Sequence, residues 1–280
     1  MKTDSIKSKA LLGLFLSTTL LFATLLLAAL PASAQLAVRH SEGIVHGFLI
    51  LTTLDGHVVA EGEQTQSPHS DRITSRLIFR FKDGSIHQED SVYSQRKSFQ
   101  LISEHLVQKG PTFKQPIDVS FTVASGQVTV KATEKDGKEK VITEHVDIPA
   151  DIANGVILIL LKNLPPGGTE IKLPYLAATP KPRMVKLAVS SGGEDSFAGG
   201  GSNQKTTHYI VKVEIGGVAG VVAPIVGKQP VDTHVWILKG PVPAFVQSEG
   251  PLFQGGPVWR ISLVSLRAPS KQPESGAAKP

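Results

Sequence analysis

Strict alternation of apolar and polar residues constrains the fold of this chain more than any other sequence feature. In residues 76–81, Leu77, Phe79 and Phe81 fall on one face of a strand, and the two arginines fall on the other. Residues 118–123, 127–131, 208–215 and 259–263 show the same period of two. A strand with one apolar and one polar face is typical of an antiparallel sheet that buries a single side.

Turn signals lie between these β-rich segments. Three Asp-Gly dipeptides and one Ser-Gly dipeptide occur at positions 55–56, 83–84, 136–137 and 125–126. Because Asp-Gly and similar pairs tolerate the positive φ angles of tight hairpin turns, each predicts the tip of a hairpin. The sequence therefore predicts a meander, in which strands adjacent in the chain pair with each other.

One segment, residues 149–163, departs from the period of two. Pro149 can open a helix, Asp151 follows in its first turn and Lys162 lies near its end. Residues 156–161 are apolar on every side, which indicates burial all round. We predict a buried helix here, with Ile157, Leu160 and Leu161 facing a cavity. Because the segment contains β-branched residues, a buried strand is the alternative interpretation.

These features predict a mainly β (α+β) fold: a curved antiparallel β-meander, or half-barrel, that wraps one buried helix. Further strands are expected at 169–177, 183–190, 206–215, 233–238, 244–248 and 258–264. Residues 190–202 are rich in Gly and Ser and predict a flexible loop. Residues 267–280 predict a disordered tail.

The N-terminus carries the features of an export signal. Lys2, Lys7 and Lys9 precede a long apolar run, and residues 32–34 read Ala-Ser-Ala, which suits signal peptidase. We predict a signal peptide over 1–34, a single β-rich domain over 35–266, and a periplasmic or extracellular destination. The alternative is an uncleaved membrane anchor, since the run is long enough to span a bilayer.

Composition and motifs exclude several kinds of chemistry. The chain has no cysteine, so disulfides, thiolate nucleophiles and cysteine-ligated metals are impossible. A net charge of +5 spread along 280 residues gives no reason to expect a nucleic-acid partner. No serine-nucleophile motif is present in the chain after the signal peptide. We expect no cofactor and no metal, and an enzyme only if its site is assembled in three dimensions.

The nine histidines form no metal-binding sequence motif. His208 and His234 lie on neighbouring predicted strands and could face each other. Histidines exposed on the surfaces of strands are the commoner interpretation.

Residues 214–228 form an apolar, glycine-rich run between two predicted strands. Its glycines do not have the spacing of a dinucleotide-binding loop, and Pro224 would interrupt the helix that such a loop needs. We expect this run to control access to a cavity through Gly216, Gly217, Gly220, Val221, Pro224 and Ile225. The alternatives are a loop that touches a membrane, a buried helical plug, and an apolar connection packed on the core.

The order of these features resembles known protein families. Residues 77–84, the predicted helix 149–163, and the segments 206–213, 233–238 and 243–249 resemble uncharacterised exported bacterial families. Those families look like distant relatives of the periplasmic lipoprotein carriers, in which a curved sheet wraps a helix and leaves an apolar cavity. The resemblance covers roughly residues 72–263 and supplies no catalytic residues.

The sequence and this resemblance together suggest an exported cell-envelope binding or carrier module for an apolar, lipid-like ligand. The first alternative is an envelope scaffold or interaction protein whose interior is filled by its own side chains. The second alternative is a hydrolase. A dry open groove would favour the carrier, and a solid core would favour the scaffold. The oligomeric state is left open.

Overall fold

The computed structural model describes residues 36–133, 137–165, 167–179, 181–199, 202–215 and 229–264. Within these residues one helix, α1, spans Ile157–Asn163. The first eight strands are β1 Val45–Thr52, β2 Val58–His69, β3 Arg72–Phe81, β4 Ile86–Gln95, β5 Phe99–Lys109, β6 Ile117–Thr122, β7 Gln127–Thr133 and β8 Glu139–His145. The others are β9 Ile171–Ala177, β10 Arg183–Gly199, β11 Ser202–Glu214, β12 Thr233–Leu238, β13 Ala244–Pro251 and β14 Val258–Leu263.

The described strands form one curved antiparallel sheet in the order β8-β7-β6-β5-β4-β3-β2-β1-β14-β13-β12-β11-β10-β9. It consists of two meanders that meet where β1 pairs with β14, with Leu49 opposite Leu263. β8 and β9 form the two edges, so the sheet is open. The predicted fold class, a curved antiparallel meander with one helix, is confirmed.

The predicted hairpin turns are present where their residues are described. Gly56 has φ of +94° and Gly84 has φ of +85°, and each lies in the turn between two paired strands. Such angles favour glycine over residues with a Cβ. Asp136, half of one predicted turn, lies outside the described residues.

Two apolar clusters fill the concave side of the sheet. The larger surrounds α1 and joins strands of both meanders, through residues that include Tyr93, Phe121, Val130, Leu161, Leu176, Tyr209 and Ile237. The smaller lies where the meanders meet, and its members are Leu49, Leu51, Ala60, Phe79, Phe81, Phe113 and Trp259. The helix is thus enclosed by the sheet, as predicted.

The helix is shorter than predicted, because residues 149–156 form turns and irregular backbone. Gly155 has φ of +63°, which a helix cannot contain. The backbone and side chain of the preceding residues instead bond to strand β9. The prediction of a helix over 149–163 was therefore wrong for its first half.

These bonds protect the β9 edge of the sheet. Ala153 N donates to Pro174 O at 2.9 Å. Asn154 accepts from Leu176 N at 2.7 Å and donates through Nδ2 to Leu176 O at 3.0 Å. Pro174 has no N–H to leave unpaired, which suits an edge strand. The segment before α1 thus takes the place of a neighbouring strand.

The Gly- and Ser-rich residues 190–202 do not form the predicted loop. The β10–β11 pairing continues from Lys186–Glu214 out to Gly199–Ser202. Trp236 Nε1 donates to Asp195 Oδ2 at 2.7 Å, and Lys239 forms an ion pair with Glu194. Bonds from β12 and from the residue after it therefore support an extended hairpin that composition alone does not predict.

The N-terminal residues of the described chain hold the far end of α1. Asn163 Oδ1 accepts hydrogen bonds from Arg39 N at 2.8 Å and His40 N at 2.7 Å. Lys162 Nζ lies 2.5 Å from the buried Glu42 carboxylate. Because breaking a buried charge pair leaves an uncompensated charge, this contact holds α1 to the N-terminal segment. The predicted signal peptide and tail lie outside the described residues.

Candidate binding surfaces

A row of buried polar side chains crosses the interior of the first meander. Gln66, Ser75, Ser91 and Glu104 are opposite one another in register across β2, β3, β4 and β5. All four are buried, and Glu104 is only 6% exposed. Gln66 Oε1 and Glu104 Oε2 have no hydrogen-bond partner in the described part of the chain. We call these four residues the interior polar row.

Burial favours the neutral form of two carboxyl groups in this region. It raises the pKa of Glu104 well above its usual value, and the nearby Glu89 raises it further, while a hydrogen bond from Asn154 acts in the opposite direction. Burial and the neighbouring Asp90 raise the pKa of Glu89 to about 7. Burial, with both glutamates as lesser causes, also raises the pKa of Tyr175. A neutral carboxyl can serve here as a structural hydrogen-bonding group.

The interior polar row positions the segment that precedes α1. Ser91 Oγ donates to Gly155 O at 3.3 Å. A Cβ on Gly155 would come within 2.7 Å of Ser91 Cβ. Only glycine therefore allows the turn to lie this close to the sheet.

The helix residues predicted to line a cavity lie inside the larger apolar cluster. Leu160 and Leu161 are buried and Ile157 is partly buried. None of the three lines the small cavity beside the end of α1 or the groove on the outer face described below. One cavity, of about 100 Å³, lies beside the end of α1 and is lined mainly by Leu164, Ile171, Val189 and Tyr209. The role of the three helix residues as a cavity lining stays a prediction.

A groove with many polar lining residues lies on the outer face of the sheet. It has a volume of about 570 Å³. It extends over β3–β7, where the outward residues Asp90, His105, Ser120 and Thr129 are opposite one another in register. We call it the outer groove. Its lining also includes Thr74, Val92, Ser103, Asp118, Thr122, Gln127 and Lys131, together with Ser91, Glu104 and Phe121 of the strands beneath it.

Charges within and beside the outer groove are paired. Arg76 Nε lies 2.5 Å from Asp90 Oδ1. Asp118 Oδ1 lies 2.9 Å from His105 Nε2, and Asp118 Oδ2 lies 3.8 Å from Lys131 Nζ. The surface therefore offers hydroxyl, amide and neutralised charged groups rather than a strong field of one sign.

A second polar cluster lies on the outer face of the other meander. The rings of His208 and Trp236 stack with centroids 4.6 Å apart, and His208 Nε2 is 2.9 Å from His234 Nδ1. Burial lowers the pKa of His208, and the adjacent His234 lowers it further. The two histidines predicted to lie on neighbouring strands do contact each other. In the described ranges no three His, Asp or Glu side chains are grouped so as to hold a metal ion.

The predicted access residues belong to the glycine-rich run over 214–228. Gly216, Gly217, Gly220, Val221, Pro224 and Ile225 all lie outside the described residues. Their role stays a prediction.

Sequence reasoning missed both the interior polar row and the outer groove. The outward row could have been found from parity along β6 and β7, because Ser120 and Thr129 alternate with buried apolar residues. The interior glutamates carried no such signal, since charged strand residues are normally assigned to the wet face.

The chain has a distant similarity to a solved structure. No protein-family model matches the chain, and no curated protein matches it. Among solved structures it is similar to a β-barrel-like protein of the domain of unknown function DUF1849 from Brucella abortus, with 11% identity and a TM-score of 0.45. The similarity covers 80% of this chain and 98% of that protein. The resemblance to lipoprotein carriers is not confirmed by these comparisons.

Proposed function

We propose that this chain is an exported cell-envelope interaction protein that binds a polar macromolecular partner on its outer face. The proposal rests on the contrast between the packed inner side of the sheet and the groove on its outer face. The chain's own helix and apolar side chains pack against the inner side of the sheet, whereas a groove of about 570 Å³ lies on the outer face.

The chemistry of the outer groove supports a polar partner. Sites for apolar small molecules are lined mainly by hydrophobic and aromatic side chains. The outer groove instead presents hydroxyls such as Ser120 and Thr129 beside the paired charges of Asp90 and Asp118. Such a surface suits an extended polar segment that forms many individually weak hydrogen bonds.

The predicted signal peptide supports the proposed location. A lysine-rich start, an apolar run and an Ala-Ser-Ala site together direct a chain to export. In the described residues no helix has the length and apolar character needed to span a bilayer.

Site-specific photo-crosslinking in the native host tests the proposed surface. A photoreactive residue at Thr129, inside the outer groove, is expected to capture a discrete partner. The same residue at Lys186, an exposed position on the other meander, serves as the control. Equal capture from both positions, or none from Thr129, would contradict the proposal.

A carrier of an apolar, lipid-like ligand is the second candidate function. The small cavity beside α1 favours it, because Leu164, Ile171 and Tyr209 give that cavity a mainly apolar lining. A volume of about 100 Å³ is too small for a lipid chain, so a carrier would have to displace α1. Uptake of an apolar dye together with increased amide exchange in α1 would identify this function.

A further inference from the structure

The two edges of the sheet are treated differently. At β9, Ala153 and Asn154 bond to the outward backbone groups of Pro174 and Leu176. At β8, no strand within the described ranges pairs with the outer edge. Most of β8 is exposed, and the apolar Val141 is 56% exposed. An uncovered edge strand is a template for pairing with another chain.

The sequence of β8, Glu-Lys-Val-Ile-Thr-Glu-His, is complementary to itself in the antiparallel direction. If two copies of β8 pair about a two-fold axis through Ile142, each residue of one strand lies opposite a residue of the same strand in the second copy. The pairs are Glu139 with His145, Lys140 with Glu144, Val141 with Thr143, and Ile142 with itself. Opposite charges or polar and β-branched groups meet at every position, which favours pairing.

The charges on β8 would discourage pairing with a different strand. Ile142 is opposite the buried Val130, so Lys140 and Glu144 share its inner face. Inward-pointing charges on an edge strand normally prevent edge-to-edge association. In the self-paired register Lys140 of each copy is opposite Glu144 of the other, so opposite charges meet.

We propose that β8 is a homodimerisation edge, on which a second copy of this chain pairs antiparallel about Ile142. The interface is isologous, because each copy presents the same strand to the other. It joins the two sheets into one continuous sheet. The outer groove lies beside this edge, since Thr129 on β7 is opposite Thr143 on β8.

Cysteine crosslinking tests the register directly, because the chain has no cysteine of its own. In the dimer, Cα atoms at position 142 would be about 5 Å apart, within the range that a disulfide needs. Those at position 139 would be about 20 Å apart. Ile142→Cys is therefore expected to form a covalent dimer on mild oxidation, and Glu139→Cys is not.

Glu139→Cys is a stringent control because Glu139 is more exposed than Ile142. Random collision would crosslink the control at least as well as Ile142→Cys. Equal crosslinking of the two variants, crosslinking of the control alone, or none from either would overturn the proposed register.

Charge reversal tests the same pairing without a covalent bond. Lys140→Glu places two carboxylates opposite each other twice in the dimer and is expected to weaken dimerisation about tenfold by analytical ultracentrifugation. The double variant Lys140→Glu/Glu144→Lys is expected to restore it. An unchanged dimer in the single variant, a double variant no better than the single, or a wild-type chain that stays monomeric would overturn the proposal. Thermal melting checks that each variant is folded.

Discussion

Replacing Glu104 by glutamine removes the titrating group of the interior polar row and keeps its size. The Glu104 side chain is buried, with one oxygen unpartnered and a hydrogen bond from Asn154 on the carboxylate. Glutamine retains a carbonyl oxygen that can accept this bond. Glu104→Gln should therefore change the protonation behaviour of the interior more than its packing.

The sign of the pH effect follows from the direction of the pKa shift. Because the folded protein holds the pKa of Glu104 above its ordinary value, the folded state binds more protons than the unfolded state between those two values. The wild-type free energy of unfolding therefore falls as pH rises, by about 1.4 kcal/mol per pH unit for one such group. Glu104→Gln lacks the titrating group, so its free energy of unfolding should exceed that of the wild type by an amount that grows with pH.

Glu89 adds to the effect in the wild type. A pKa raised from 4.5 to about 7 corresponds to about 3 kcal/mol of stability that is present at acid pH and lost by pH 7. Burial and Asp90 are the causes of this shift, so Glu104→Gln should leave the Glu89 trend in place in both proteins. Burial of His87 lowers its pKa to about 4 and produces the opposite trend, but it does so equally in both proteins.

Urea unfolding followed by tryptophan fluorescence, from about pH 5 to about pH 8, measures the difference. We expect the two proteins to be nearly equal at the acid end and Glu104→Gln to be more stable at the alkaline end. Glu61→Gln, on the exposed face of β2, is the matched control and should leave the profile unchanged. Parallel profiles for wild type and Glu104→Gln would refute the assignment of a neutral buried carboxyl.

Three further predictions concern the helix, the sheet edge and export. Leu161→Ala should lower the free energy of unfolding by about 2–5 kcal/mol in a chemical unfolding experiment, because this side chain is buried in the larger cluster. Ile157→Ala should lower it less, because Ile157 is only partly buried. Equal losses would contradict the observed orientation of α1. Asn154→Ala should cost about 1–3 kcal/mol for each buried backbone group of Leu176 left unpaired, and unchanged amide exchange at Leu176 would argue against the edge protection. N-terminal sequencing of the exported chain should begin at Gln35, and residues before Ala34 would contradict cleavage.

The strand pattern was predictable because a strand needs only one local property, the side on which each residue lies. Leu77, Phe79 and Phe81 face inward as their period of two requires. The inward position of Glu104 could not be predicted from the alternation of residues, and the reason is physical. A bulge in the β4–β5 pairing shifts the register between Ser103 and Leu101, so inward residues are odd-numbered at one end of β5 and even-numbered at the other.

Local sequence also fails to predict the structure where a contact with a distant strand outweighs local composition. Residues 149–156 have helix-start signals, yet Asn154 gains more by bonding to an edge strand that is distant in sequence. Residues 190–202 have the composition of a loop, yet Asp195 and Glu194 are held by partners on and beside β12. The outer groove depends on the curvature of several strands, which no single segment encodes.

The central claim is that the interior is filled by the protein itself and that partners bind outside it. Native mass spectrometry of the chain, purified gently from the envelope of its own host, tests this claim most directly. We predict that the monomer or dimer carries only its own mass, with no lipid adduct. A stoichiometric lipid adduct, lost on denaturation, would contradict the account and favour a carrier.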